Sequence, residues 1–154
     1  MALTQAEVDE LLEMPKAFVD PAPIEFNLTQ PMDYDRVLRS VDRREEFLLT
    51  IERGRRKRIR LKYQTRARRV IVLARLDLNG AAHKNPPEAS YRPGEWIGET
   101  HLHLCREGFD DRIAYTLVDA PGWADPNSMD GIPALEHFMR YCRVTEWPPI
   151  QTSL

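Results

Sequence analysis

Within the segment ETHLHLCREG, His101 and His103 stand two residues apart, and Cys105 and Glu107 continue the same parity. Alternate residues of an extended chain share a face, so Leu102 and Leu104 turn toward a core and the two imidazoles turn the other way. Imidazole populates both protonation states near neutrality, its unperturbed pKa being about 6.5. One ring can remove the 2′-hydroxyl proton of RNA while a second acid protonates the leaving oxygen, and guanidinium groups stabilise charge on the phosphorane. The 2′-OH is the internal nucleophile, so this chemistry requires no Ser or Cys nucleophile. The candidate catalytic residues are therefore His101, His103, Arg75 and His83, the last from the loop that precedes the His-x-His strand.

Phosphate contacts are the second requirement, and one segment is rich in them. Between Arg53 and Arg69, ten of seventeen residues are Lys or Arg. From Arg58 onward the charges alternate: Arg58, Arg60, Lys62, Gln64, Arg66 and Arg68 have one parity, and Ile59, Leu61, Tyr63, Thr65 and Ala67 the other. A period of two predicts a strand over Arg58–Arg68 with one face in a core and a row of cations toward solvent. Such a row suits a phosphodiester backbone, so Arg58, Arg60, Lys62, Arg66 and Arg68 are the candidate nucleic-acid contacts. The chain as a whole carries a formal net charge of −2. Its flanks are acidic, with twelve acids against five bases in residues 1–52 and twelve against six in residues 76–154. The positive field is thus local. A solvated face paired with acidic helices accounts for the same charges, and strand histidines with structural hydrogen bonds account for the same His-x-His spacing.

A metal would be a different use of the histidines. His101-x-His103-x3-Glu107 has the spacing of the first cupin motif, and His101 and His103 with either Glu107 or His83 would suit Zn²⁺, Fe²⁺ or Mn²⁺. The flanking glycines do not fall at the cupin positions and no second His motif follows, so neither a metal nor another cofactor is predicted.

These residues need a scaffold. Thr4 and Glu7 form a capping box and Pro15 a stop, predicting a helix over Gln5–Met14. Residues 15–33, with Pro15, Pro21, Pro23 and Pro31, read as irregular. Strands are predicted at Phe47–Ile51, Arg58–Arg68, Val70–Asn79, Thr100–Arg106 and Ile113–Val118, with Asn79-Gly80 a turn signal and 81–98 a long loop. A last helix, Gly131–Val144, has Asp130 as its N-cap and Leu135, Phe138, Met139 and Cys142 as its apolar stripe. His137 is expected on its outer surface. The predicted architecture is α+β: a single domain, 1–154, with an antiparallel meander of four to five strands and N- and C-terminal helices.

Composition is that of a globular protein, 42% hydrophobic and 30% charged. No apolar run approaches the roughly 20 residues that span a bilayer, and MALTQAEVDELLEM is acidic and amphipathic, unlike a signal peptide. Cys105 and Cys142 lack CxxC spacing and read as reduced thiols. The expectation is a cytoplasmic protein with no membrane partner.

The segments YQTRARRVIVLARLDLNGAAHKNP, ETHLHLCREGFDDRIAYTL and LEHFMRYCRV, with the N-terminal LTxxEVDxLL helix, resemble an uncharacterised bacterial and phage family, a domain of unknown function. Its signature positions fall here on Tyr63, Arg66, Arg75, Asp77, Asn79, Gly80, His83, Asn85, Pro86, His101, His103, Glu107 and Gly108. Where the family carries an aromatic after His-x-His-x, this chain has Cys105. The resemblance implies a mobile-element or phage gene and supplies no activity. Two readings stand. One is a small RNA-binding protein, with a metal-independent endoribonuclease of the toxin type as its enzymatic form. The other is a non-enzymatic interaction module whose basic face binds nucleic acid or a protein partner, such as an antitoxin or a host protein.

Overall fold

A computed structural model describes residues 2–124 and 131–154. Among them are two helices, α1 (Gln5–Glu13) and α2 (Gly131–Tyr141), and twelve strands. The strands are β1 (Lys16–Phe18), β2 (Ile24–Asn27), β3 (Met32–Ser40), β4 (Glu46–Arg53), β5 (Leu61–Ala67), β6 (Ile71–Leu78), β7 (His83–Lys84), β8 (Trp96–Ile97), β9 (His101–Arg106), β10 (Asp110–Tyr115), β11 (Val144–Glu146) and β12 (Ile150–Ser153). Eight of them form one sheet in the order β10-β9-β6-β5-β4-β3-β1-β11. Its pairings are antiparallel except β1 with β11, which is parallel. The α+β class is as expected, but a wide mixed sheet replaces the meander of four to five strands. The prolines explain the difference. Pro15, Pro23 and Pro31 stand just before β1, β2 and β3, where a missing N–H is tolerated, so they delimit strands rather than forbid them.

The core lies on one face of this sheet. Register aligns Ile51 with Tyr63 and Leu76, and Leu76 in turn with Leu102. These side chains form one buried cluster with Val8 and Leu11 of α1 and Leu135, Phe138 and Met139 of α2. Helix α1 lies against β6 and β9, and α2 against β5. The capping box forms: Thr4 Oγ1 accepts from the Glu7 N–H at 3.1 Å, and Glu7 Oε1 accepts from the Thr4 N–H at 3.0 Å. The Asp130 cap lies outside the described residues. Lys16 is fully buried at the head of β1, its ammonium donating to the carbonyls of Leu12, Met14 and Cys142 at 2.8–2.9 Å. One cation thereby satisfies the C-terminal carbonyls of both helices.

The arginine-rich strand is shorter than its alternation suggested. Strand β5 starts at Leu61, and Arg58 and Arg60 belong to the β4–β5 loop. At the other end Arg68 and Arg69 both have positive φ, 50° and 68°, which turns the chain out of the sheet. Two-residue periodicity cannot see a turn built from residues that happen to keep the pattern.

Candidate functional site

The face of the sheet opposite the helices carries two polar rows. Across β5, β6 and β9 one row runs Gln64, Arg75, His103, and the next runs Lys62, Asp77, His101. Parity alone places His101 and His103 on the same side, as expected. They are not on an open surface, however. Their relative exposures are 0% and 1%, because the segment carrying β7 and β8 folds over them. The His83 ring stacks edge-on to that of His103 with centroids 4.7 Å apart, and lies 6.1 Å from that of His101.

Hydrogen bonds fix each imidazole. His101 Nδ1 lies 2.6 Å from the Gly98 carbonyl, and His103 Nδ1 lies 2.8 Å from the Asp111 carbonyl. A carbonyl only accepts, so both Nδ1 atoms must carry the proton. Arg75 Nη2 then donates to His103 Nε2 at 2.8 Å, and Arg75 Nε donates to Asp77 Oδ1 at 3.0 Å. Burial, followed by the Arg75 charge, holds the His103 pKa down to about 3, so this ring is neutral. Burial would raise Asp77, but its polar contacts, with the Arg75 guanidinium 3.0 Å away, outweigh it, and the carboxyl stays ionised with a pKa of about 2. Arg75 also reaches Asp111 at 3.5 Å, and this pair is the partly exposed rim of the cluster, its side chains 25% and 30% exposed. Glu107 takes no part in it: β9 ends at Arg106, and the Glu107 carboxylate accepts from the Gln5 N–H at 2.8 Å. Cys105 is buried, as is Cys142. Asp77 is the residue whose role sequence reasoning missed, although its parity with Arg75 was readable.

His83 and Asn85 have a further task. His83 Nε2 donates to the Arg112 carbonyl at 2.7 Å. The Asn85 amide donates to the Ala114 carbonyl at 3.1 Å and accepts from the Ala114 N–H at 2.9 Å. Both therefore bond the backbone of β10, one of the two edge strands of the sheet.

The candidate phosphate contacts divide into two groups. Lys62, Arg66 and Arg68 are paired with carboxylates of neighbouring strands or turns: Glu52 at 3.6 Å, Asp35 at 3.2 Å and Glu45 at 3.0 Å. Arg66 also donates to Thr50 Oγ1 at 3.2 Å, and Thr50 itself donates to Asp35 at 2.6 Å. Arg58 and Arg60 lie in the β4–β5 loop together with Arg55, Arg56 and Lys57, and every residue from 55 to 60 is exposed. Backbone bonds close this loop, Gly54 N–H to Arg60 O at 2.9 Å and Arg60 N–H to Lys57 O at 3.0 Å. Arg58 donates to the Thr29 carbonyl at 3.0 Å and to Gln30 Oε1 at 3.3 Å. Lys57 lies 3.5 Å from Glu99. Among the described residues, no carboxylate stands within 4.0 Å of Arg55, Arg56, Arg58 or Arg60. Ile59 within the tip is exposed (60%), and so is Trp96 of β8 (66%). Trp123 is buried, and His137 is half-buried with its ring 6.2 Å from that of Trp123.

Among the described residues, no helix is long and apolar enough to cross a membrane. The chain belongs to a family of unknown function, DUF6978, matched over residues 3–144. No curated protein and no solved structure matches it.

Proposed function

We propose that this chain binds single-stranded nucleic acid, RNA included, through the Gly54–Arg60 tip. The observation that carries the reading is five cations in six consecutive exposed residues, on a loop closed by its own backbone bonds. Unpaired arginines on a fixed loop can exchange their counterions for phosphates, whereas arginines already paired in the sheet gain little. The Arg60 stem runs over Gly80, its Nε 3.4 Å from where a Cβ would stand there. Trp96 offers an exposed aromatic face of the kind on which bases stack, and Ile59 an exposed apolar side chain on the tip itself. The phosphate contacts in this reading are Arg55, Arg56, Arg58 and Arg60. Lys62 and Arg66 of β5, and Arg68 in the turn after it, serve the fold instead.

The buried histidines are not placed to cleave RNA. A general acid or base must come within hydrogen-bond reach of the proton it moves, and His101 and His103 are sealed from solvent beneath the β7–β8 segment. The test is fluorescence anisotropy with labelled 20-mer single-stranded RNA and DNA at low salt, together with gel analysis of the RNA in EDTA. Wild type should bind, and Arg55→Ala/Arg56→Ala/Arg60→Ala should bind far more weakly, with the RNA intact in both. Equal binding by the triple variant ends the assignment. So does a wild type that binds no nucleic acid and instead holds an acidic protein partner by the same loop.

A further inference from the structure

We propose that Asp77, His101 and His103 form a binding site for a divalent transition-metal ion of the Zn²⁺ or Fe²⁺ kind. One ligand atom from each of the three side chains falls in a single group, all within 4.8 Å of one another. Two imidazole nitrogens and one carboxylate oxygen are the donor set those ions favour.

The hydrogen bonds on the far side of each ring make the case more specific than proximity. Both Nδ1 protons are committed to backbone carbonyls, of Gly98 and Asp111, so both Nε2 atoms present a lone pair inward. A backbone carbonyl on the outer nitrogen is the arrangement that orients metal-binding histidines and fixes their tautomer. His101 Nε2 is the most telling atom. It is buried and has no hydrogen-bond partner, yet it stands 3.3 Å from Asp77 Oδ2. With Nδ1 holding the ring proton, an imidazole lone pair faces a carboxylate out of water, and a cation between them, a proton or a metal ion, removes the conflict. A proton on His101 Nε2 would serve that one pair. A metal ion also uses His103 Nε2, which lies 3.8 Å from the same carboxylate oxygen.

Arg75 balances the Asp77 charge from one side and fills the lone pair of His103. It therefore competes with an incoming ion. Its guanidinium already lies 3.5 Å from Asp111, on the partly exposed rim, and a swing onto that carboxylate releases His103 Nε2. The structure thus gives Arg75 the part of a gate.

The experiment uses tag-free, EDTA-stripped, desalted full-length protein titrated with ZnSO₄ by calorimetry and with CoCl₂ by visible absorption. One ion per chain is expected. His101→Gln and Asp77→Asn, near-isosteric changes, should weaken binding by at least ~10–100-fold, the range seen even for outer-shell changes. Arg75→Gln should tighten it, an effect a merely structural role for Arg75 does not predict. Because a variant can lose its fold, the decisive measurement needs none: histidine ¹⁵N spectra of wild type should show Zn²⁺ shifting Nε2 of both His101 and His103 while both Nδ1 protons persist. Folded wild type that takes up neither ion, binding undiminished in both ligand variants, weaker binding by Arg75→Gln, or a His101 Nε2 proton that survives saturating Zn²⁺ would each overturn the proposal.

Discussion

The β4–β5 tip and the sheet make opposite predictions about salt. Four arginines of the tip, Arg55, Arg56, Arg58 and Arg60, have no carboxylate at ion-pair distance among the described residues, and Lys57 is set aside because Glu99 is beside it. If all four meet phosphates, log Kobs should fall against log salt with a slope of about 0.7 × 4, or −2.8, for single strands. Raising salt fourfold, from 50 to 200 mM, should then weaken binding about fiftyfold, roughly 2.3 kcal/mol. Removing Arg60 leaves about three contacts, a slope near −2.1 and a loss of about eighteenfold over the same range. Removing Arg55, Arg56 and Arg60 together leaves one contact and a loss of only about threefold. Arg66→Gln should keep the parent slope, because Arg66 is engaged by Asp35 and Thr50. It should instead lower stability by roughly 0.5–1 kcal/mol, the range for a partly exposed pair. Anisotropy of a labelled 20-mer across the salt series, with urea melts of each variant, measures both quantities. If Arg60→Gln leaves the slope unchanged while Arg66→Gln flattens it, the strand row is the interface and the pairing argument fails.

Two further outcomes follow from burial. Asn85→Ala removes both bonds to Ala114 and leaves buried backbone groups unpaired, so urea denaturation should show a loss of about 1–3 kcal/mol per orphaned group; a loss below ~0.5 kcal/mol would mean that water replaces the amide. Burial pushes the Cys105 and Cys142 thiols up to about 11 and about 12, so a disulfide reagent at pH 8 should modify neither in the native state and both in guanidinium. Rapid native labelling would show that the core opens.

Elements with a strong local signature were legible in the sequence. The Thr4–Glu7 box starts α1 where expected, and Leu135, Phe138, Met139 and Cys142 are all buried, as a helical stripe requires. Strands β5, β6 and β9 lie within the predicted spans. Strand β1 was hidden because a three-residue element opening on a lysine looks like loop, and only the three carbonyls gathered from two helices make Lys16 a core residue. Strand β3 carries charge on its exposed face and follows a proline, so it reads as connection. The polar cluster was half legible. Parity put Arg75, Asp77, His101 and His103 on one face, but nothing local could show that a segment ending twenty residues after Leu78 would close over it. The excess charge was legible too, though not its division: Arg66 and Arg60 look alike until Asp35 is seen beside one and open solvent beside the other.

The His83 and Asn85 bonds to β10 carry a consequence for solubility. An outermost strand offers its backbone to any extended chain, and natural sheets block that offer in various ways. Here the block is two side chains spaced two residues apart, meeting two carbonyls spaced two residues apart, Arg112 and Ala114. The match of pleat to pleat lets β7 guard the edge without pairing with it, since β7 pairs with β8. A single inserted residue between His83 and Asn85 would put them on opposite faces and lift the guard. The strand would then be free to template the same strand of a second copy, and chains would add to one another edge to edge.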